Sequence, residues 1–205
     1  AGDLRLRVWM MIGGDLLDEA IALGLRSGFG DDRLRIGGVK YFADGSLGAR
    51  TAWMLEPYAD GGSGLPVVPM AELASAIRRG AAAGLPVGIH AIGDRAIREL
   101  LDVFSEVLPQ LTIDNSQLTI DNSQLTIVDS SLPHRIEHVQ HSTRQDLLRL
   151  GALGLVASMQ PIHLVDDMAL VERALGDRGR WSYAWRTLLD SGAVLAFGSD
   201  CPVAS

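Results

Sequence analysis

The chain of 205 residues carries 18 basic and 25 acidic side chains, which give a formal net charge of −7 at pH 7. This acidic balance argues against nucleic acid and anionic membrane as partners, and no apolar run reaches the roughly 20 residues that cross a bilayer. Hydrophobic residues make up 47% of the chain, enough for the core of one domain or part of a larger one, while the single cysteine excludes an intrachain disulfide and favours a cytoplasmic location.

The first half of the chain alternates predicted strands and helices. The predicted strands span residues 4–12, 34–42 and 85–90. The predicted helices span residues 15–26, 69–83 and 93–108. Pro69 and Gly84 are typical of the start and the stop of a helix. The Gly/Pro-rich segment 43–69 is predicted to be a long loop, of the kind that covers a site in a compact domain.

The second half continues the same alternation. The predicted strands span residues 133–139, 153–158 and 194–197. The predicted helices span residues 143–150, 164–175 and 183–189. Strands with few polar positions, each followed by a helix, predict a parallel sheet covered by helices. The pattern alone fits both an open doubly wound sheet and most of a (β/α)8 barrel.

A tandem repeat at residues 111–131 interrupts this alternation. The segment Leu-Thr-Ile-Asp-Asn-Ser-Gln occurs at 111–117, recurs unchanged at 118–124 and continues in altered form to 131. Its apolar residues are two apart and Asp, Asn and Ser are poor helix formers, so it does not predict a coiled coil. We predict a duplicated surface loop, inserted into the domain and without a part in its chemistry.

Lys40 is the one lysine among the 18 basic residues, and the other 17 are arginines. A guanidinium stays protonated in proteins, whereas a lysine amine loses its proton when it is buried or placed near other charges. A neutral amine can act as a base, form a Schiff base, or take up carbon dioxide to become a carbamate. Lys40 lies near the end of the predicted strand 34–42, which favours a buried position over that of a lone surface lysine.

Four residues with suitable chemistry follow or end four different predicted strands: Lys40, His90, His138 and Asp200. In a parallel α/β architecture these strand ends lie at one face, where barrels hold their active sites. Each residue alone has an ordinary interpretation, such as a hydrogen-bonded core histidine or a helix-capping aspartate. Together, two imidazoles, a carboxylate and a lysine predict a site for zinc or another divalent metal.

Several stretches of the sequence are similar to one known family. They are residues 39–51, 90–97, 135–140, 157–163, 183–186 and 197–203. They occur in order along nearly the whole chain, with the repeat outside the similarity. The sequence resembles the amidohydrolase superfamily, and within it the branch of YtcJ-like proteins and N-substituted formamide deformylase.

The resemblance implies a fold and a metal site. The implied fold is a partial (β/α)8 TIM barrel of the metal-dependent hydrolase type, in which residues 1–205 form an incomplete barrel domain with about strands three to eight. Lys40 corresponds to a carboxylated lysine, His90 and His138 to two metal-binding histidines, and Asp200 to a metal-binding aspartate. One or two divalent ions, with zinc expected, would bind there. The His-x-His pair of the family is missing from the chain, so we expect a fragment of a longer protein.

The implied activity is hydrolysis of a non-peptide carbon–nitrogen bond in a small amide or formamide-like substrate. Asp200 would take a proton from the attacking water and pass it to the leaving nitrogen. His163, Arg50 and Arg186 are predicted to contact the substrate.

Three carboxylates close in sequence to the predicted ligands are expected to orient them: Asp44, Asp94 and Glu137.

Two other functions stay open at this point. A catalytically incomplete barrel fragment, or a regulatory or binding protein, would keep the fold without a full metal centre. A metal-free α/β enzyme would instead use Lys40 as a Schiff-base amine. The expected partner in the first interpretation is a small molecule, and the protein is compatible with a homodimer.

Overall fold

A computed structural model of the chain describes residues 5–115 and 133–201. Six strands form one parallel sheet. They are β1 (Val8–Gly13), β2 (Leu34–Phe42), β3 (Val87–Ala91), β4 (Arg135–His138), β5 (Val156–Met159) and β6 (Val194–Phe197). Six α-helices lie between them in the sequence. They are α1 (Leu17–Ala22), α2 (Met70–Ala82), α3 (Asp94–Asn115), α4 (Arg144–Ala152), α5 (Pro161–Leu175) and α6 (Trp185–Asp190).

The order of the strands decides between the two candidate architectures. Each strand pairs with the next one in the chain, from β1 through β6, and every pair is parallel. A doubly wound sheet reverses its strand order at a switch point, whereas a (β/α)8 barrel adds strands in sequence. The fold is therefore α/β and corresponds to a partial (β/α)8 barrel, as the resemblance implied.

The two faces of the sheet have different chemistry because side chains alternate along a strand. Val39 of β2, Ile89 of β3 and Ile136 of β4 are fully buried in one core with Leu100 and Phe104 of α3. Burial of these aliphatic and aromatic groups away from water stabilises the contact between sheet and helices.

The neighbouring positions along the same strands face away from that core. They are Lys40 on β2, His90 on β3 and Glu137 on β4, and the first two line a cavity. The polar positions that interrupt the strand sequences therefore share the inner face.

The two edge strands expose large apolar side chains. Trp9 on β1 is 50% exposed, and Val194 and Phe197 on β6 are both 58% exposed. In the described residues neither β1 nor β6 has a strand on its outer side. No helix of the described residues is both long and apolar enough to cross a membrane.

Two helices differ from their predicted bounds. Helix α3 continues through Pro109 to Asn115, past the predicted end near 108, so the first five residues of the repeat are helical rather than loop. Its buried face, which includes Phe104 and Val107, packs into the core and offsets the loss of one amide donor at the proline. The rest of the repeat lies outside the described residues.

Helix α5 begins at Pro161 rather than at 164. Proline is favoured in the first turn because its missing N–H has no partner there anyway, and its fixed φ suits a helix. His163 consequently lies in the first turn of α5 and not in a loop.

His134 gives a prediction about folding stability that is separate from the site. It is buried, and its Nδ1 accepts a 3.1 Å hydrogen bond from the amide of Val87. Burial lowers the pKa of His134 to about 4. Because this folded pKa lies below the unfolded value near 6.5, the stability that the neutral ring contributes is present above pH 6.5 and is lost as the pH falls toward 4.

The substitution His134→Asn removes this titration, while the amide oxygen can still accept from Val87. Between pH 7 and pH 4, we expect the free energy of unfolding to fall further in the wild type than in the variant. The extra loss is at most about 3 kcal/mol. Urea unfolding across this pH range measures the difference. Equal losses in the two proteins would contradict the assignment.

Candidate metal centre

One cavity of about 540 Å³ lies at the carboxyl ends of the strands. The four predicted ligand residues line it: Lys40, His90, His138 and Asp200. His163 lines it as well, and so do Ser46, Leu47 and Gly48 of the long loop 43–69. The fold thus brings together residues that are up to 160 positions apart (Lys40 to Asp200) in the sequence.

Lys40 lies on the inner face of β2, opposite Gly88 of β3. A Cβ atom at Gly88 would come within 3.1 Å of Glu137 Oε1, so the glycine leaves room for this carboxylate beside Lys40. Burial lowers the pKa of Lys40, while the negative charges of Glu137 and Asp200 act in the opposite direction. The lowered pKa increases the fraction of neutral amine, which is the form that reacts with carbon dioxide.

His90 is held by the backbone and by a carboxylate at the end of β2. Its Nε2 lies 2.9 Å from the carbonyl oxygen of Gly45 and 3.6 Å from Asp44 Oδ1. Burial, with the neighbouring His138, lowers the pKa of His90 to about 4. The ring is therefore neutral at pH 7, and a proton on Nε2, donated to Gly45, leaves the Nδ1 lone pair free to bind a metal.

Asp44 joins the loops that follow β2 and β3. Its carboxylate accepts hydrogen bonds from the amides of Trp53 (2.8 Å), Ile92 (3.0 Å) and Gly93 (2.8 Å). Burial raises the pKa of Asp44 to about 6, and the three amide donors oppose that rise. Asp44 thus fixes the backbone around His90, and its role in orienting a metal ligand stays a prediction.

His138 ends β4 in a left-handed backbone conformation, with φ of 74°. Such a conformation costs a non-glycine residue about 1–3 kcal/mol and is found preferentially at functional sites. Its Nδ1 lies 2.8 Å from Gln160 Oε1. An amide oxygen accepts only, so Nδ1 carries the proton and Nε2 has the free lone pair. Burial lowers the pKa of His138, which keeps the ring neutral.

Asp200 follows β6 and also has a left-handed backbone, with φ of 56°. Its Oδ2 lies 3.9 Å from His163 Nε2. His138, His163 and Asp200 each offer one ligand atom, and these three atoms lie within 4.8 Å of one another. His163 Nε2 is buried and has no hydrogen-bond partner among the described residues.

These donors fit a divalent metal ion. Neutral imidazole nitrogens and a carboxylate oxygen are ligands that zinc and similar ions prefer. The Gln160–His138 contact is the outer hydrogen bond that commonly orients a metal-binding histidine. The described residues that could contribute to holding an ion are therefore Lys40, His90, His138 and Asp200, and His163 lies beside them.

A family model described as the amidohydrolase family matches residues 1–205, which is the entire chain. The chain belongs to the amidohydrolase family. This agrees with the strand order, with the cavity at the strand ends and with the stretches of sequence similarity.

Individual relatives agree with this assignment. The amidohydrolase chain is 39% identical over 175 residues to "Protein LONG AFTER FAR-RED 3" of Arabidopsis thaliana, covering 83% of this chain and 27% of that protein. It is 31% identical over 173 residues to "Putative amidohydrolase YtcJ" of Bacillus subtilis (strain 168), covering 83% of this chain and 29% of that protein. The chain therefore spans less than a third of the length of these two curated relatives.

A solved structure matches the whole chain. It is an uncharacterized metal-dependent hydrolase from Pyrococcus furiosus, with a TM-score of 0.81, 35% sequence identity, and coverage of 100% of this chain and 39% of that chain. The six strands thus correspond to part of a larger amidohydrolase fold.

Besides Asp44 and Glu137, three more predicted residues of the amidohydrolase site do not line the cavity. Arg50 pairs with Asp60, with Nε–O distances of 3.0 and 3.1 Å, and stacks on the ring of Tyr58. Arg186 pairs with Asp190 on the surface of α6. In both cases a carboxylate near in sequence pairs with the guanidinium, and the substrate contacts of the two arginines stay a prediction.

Asp94 is the third of these residues. It begins α3 and accepts a 2.7 Å hydrogen bond from the amide of Leu55. It therefore anchors the loop 43–69 and, in the described residues, touches none of the predicted ligands. Glu137 forms a 2.7 Å ion pair with Arg135 and acts on Lys40 through its charge. Its role in orienting a ligand stays a prediction.

The sequence did not point to three polar residues beside the cavity, which are Gln140, Asp167 and Tyr183. The amide of Gln140 and the hydroxyl of Tyr183 both donate to Asp167 Oδ2, the latter at 2.6 Å. Gln140 and Asp167 line the cavity. Burial raises the pKa of Tyr183, and the charge of Asp167 raises it further. Gln140 and Tyr183 belong to stretches of family similarity, but no spacing pattern linked them to Asp167 in α5.

Proposed function

We propose that the protein containing this chain is a metal-dependent hydrolase of non-peptide carbon–nitrogen bonds in small amide or formamide-like substrates. One observation carries the proposal: Lys40, His90, His138 and Asp200, which lie on or just after four different strands, all line a single cavity. Family membership supports a hydrolase. The proposed ions are one or two zinc or related divalent ions, with a carbamate on Lys40.

A bound divalent ion would activate a water molecule and polarise the substrate carbonyl. In our proposal the residues of the chain supply the metal ligands and the proton transfer. Neutral His90 and His138 present one lone pair each, since Gly45 and Gln160 take up the other ring nitrogen. The carboxylate of Asp200 accepts a proton from the attacking water and returns it to the leaving nitrogen, so that the amine departs neutral.

A second candidate is a regulatory or binding protein with an incomplete metal centre. The 205 residues contain no His-x-His pair, and its absence from the full-length protein as well would favour this candidate. In this candidate the cavity binds a small molecule without hydrolysing it.

Metal analysis and an activity assay of the purified full-length protein separate these candidates. We expect one or two equivalents of divalent metal per chain, hydrolysis of members of a panel of amides and formamides, loss of activity with a chelator, and recovery with Zn²⁺. Hydrolysis that survives complete metal removal would contradict a metal mechanism, and borohydride trapping of a substrate on Lys40 would then identify the Schiff-base alternative. Bound metal without hydrolysis of any amide would favour the regulatory candidate.

We also propose a cytoplasmic location. The support is compositional: Cys201 is the single cysteine, and it is exposed and free. An exposed thiol is stable in a reducing compartment.

A further inference from the structure

We infer that His163 is a metal ligand, forming a three-residue site with His138 and Asp200, rather than a residue that contacts only the substrate. The inference rests on the metal-dependent part of the proposed function and adds to it. It concerns a residue that the sequence resemblance placed with the substrate-binding groups.

The first argument is the unsatisfied nitrogen of His163. Its Nε2 is buried and has no hydrogen-bond partner among the described residues. The side chain as a whole is only 14% exposed. A buried polar atom without a partner destabilises the folded state, and such atoms are rare in folded proteins. The atom faces the cavity beside Asp200, at 3.9 Å from Oδ2. A cation bound between the two would satisfy both.

The second argument is the shared anchoring of the two histidines. The side chain of Gln160 binds His138 Nδ1 at 2.8 Å, and the backbone carbonyl of Gln160 accepts the amide of His163 at 3.1 Å. The rings of His138 and His163 stack, with centroids 5.8 Å apart and an angle of 22° between the planes. Gln160, the residue before α5, therefore orients the His138 ring directly and anchors the backbone that carries His163.

The third argument is distance. Zinc lies about 2.0–2.2 Å from nitrogen and oxygen ligands, so two ligand atoms on one ion are at most about 4.2–4.4 Å apart. The 3.9 Å between His163 and Asp200 meets this limit. The full set with His138 lies within 4.8 Å, so the His138 nitrogen must come closer by about half an ångström to share the ion. His134 offers no comparable geometry, because its Nδ1 already accepts from the Val87 amide.

The test measures metal affinity directly on metal-free full-length protein, with Zn²⁺ in competition with a chelator and with Co²⁺ as a spectroscopic probe. His163→Phe keeps a ring that can stack on His138 but has no ligand atom. We expect its Zn²⁺ affinity to fall by about 100-fold or more, beyond the loss that removal of an outer hydrogen-bond partner causes. The visible Co²⁺ spectrum should change as well. His163→Cys, which restores a ligand, should recover part of the affinity and add a sulfur-to-cobalt absorption band.

His134→Asn is the matched control, a buried histidine changed outside the cavity, and its metal affinity should equal that of the wild type. Wild-type affinity and an unchanged Co²⁺ spectrum in folded His163→Phe, with only the KM for an amide raised, would overturn the inference and leave the proposed hydrolase intact. A wild-type protein that binds neither Zn²⁺ nor Co²⁺ would overturn both. Thermal unfolding of the metal-free variants establishes that each is folded.

Discussion

Asp200→Asn is expected to lower kcat/KM by about 10²–10⁴-fold, the usual contribution of a positioned acid or base, while the protein retains at least one metal ion. The asparagine keeps an oxygen that can face the ion but cannot take up a proton. Asparagine also tolerates the left-handed backbone, with φ of 56°, that this position requires. The substitution therefore removes the proton acceptor without adding backbone strain.

The control for this experiment is Asp190→Asn, which removes an exposed carboxylate that pairs with Arg186 on the surface of α6. Its kcat/KM and metal content should match the wild type. Steady-state kinetics on an accepted amide and metal analysis of the same samples provide the two readouts. Wild-type turnover in Asp200→Asn would rule out the proton-transfer role, even if its metal content were unchanged.

Much of the fold was predictable because each βα unit is specified locally. The apolar strand β3, which leads to His90, is followed by the amphipathic helix α3, and such units predict a parallel sheet. The strand order was not readable from the pattern, since neighbours in a sheet are chosen by long-range packing. The early start of α5 had a usable signal in Pro161, whereas the helical residues after Pro109 contradict the local preference of both proline and the repeat.

The candidate site also has one part that the sequence predicts and another part that it does not. Lys40, His90, His138 and Asp200 were predictable, because parallel strands bring their carboxyl ends to one face whatever the details of packing.

Contacts that depend on side-chain direction were not predictable. The carboxylate of Asp60 that holds Arg50, and the position of Asp167 between Gln140 and Tyr183, arise from loops and helices that pack around the barrel face. The same holds for Gln160, which reaches back to His138. Sequence can place a residue at a strand end, but it does not reveal which neighbour satisfies its polar atoms.

Lys40 is the position where charge chemistry separates the competing functions most clearly. Formation of a carbamate joins the neutral amine to carbon dioxide and releases one proton, which converts a neutral group into an anion; starting from the ammonium form, two protons leave. Burial lowers the pKa of Lys40 and favours the amine, but the carboxylates of Glu137 and Asp200 favour the ammonium form. Divalent cations in the cavity would reverse that second effect by stabilising the anion, so carbamate and metal should bind together.

Lys40→Ala is accordingly expected to lower both metal content and activity. The loss of activity should exceed the factor of about 10–100 that is typical when a hydrogen-bond partner of a metal ligand is removed. Added formate or acetate should restore part of both, since a small carboxylate can occupy the space of the carbamate. Lys40→Arg is the matched variant: it keeps the cation that lies 5.0 Å from the Phe42 ring in the wild type, but a guanidinium cannot form the carbamate.

We therefore expect Lys40→Arg to be as inactive as Lys40→Ala and to gain nothing from added carboxylate, because its side chain fills the space. Metal analysis and steady-state kinetics, each with and without added formate or acetate, distinguish the two variants. Unchanged metal content in Lys40→Ala would exclude a bridging carbamate. Activity in Lys40→Arg would show that a positive charge suffices at this position. Neither a carbamate nor a Schiff base on Lys40 would then be needed. Rescue of the alanine variant alone would assign the role to the anion.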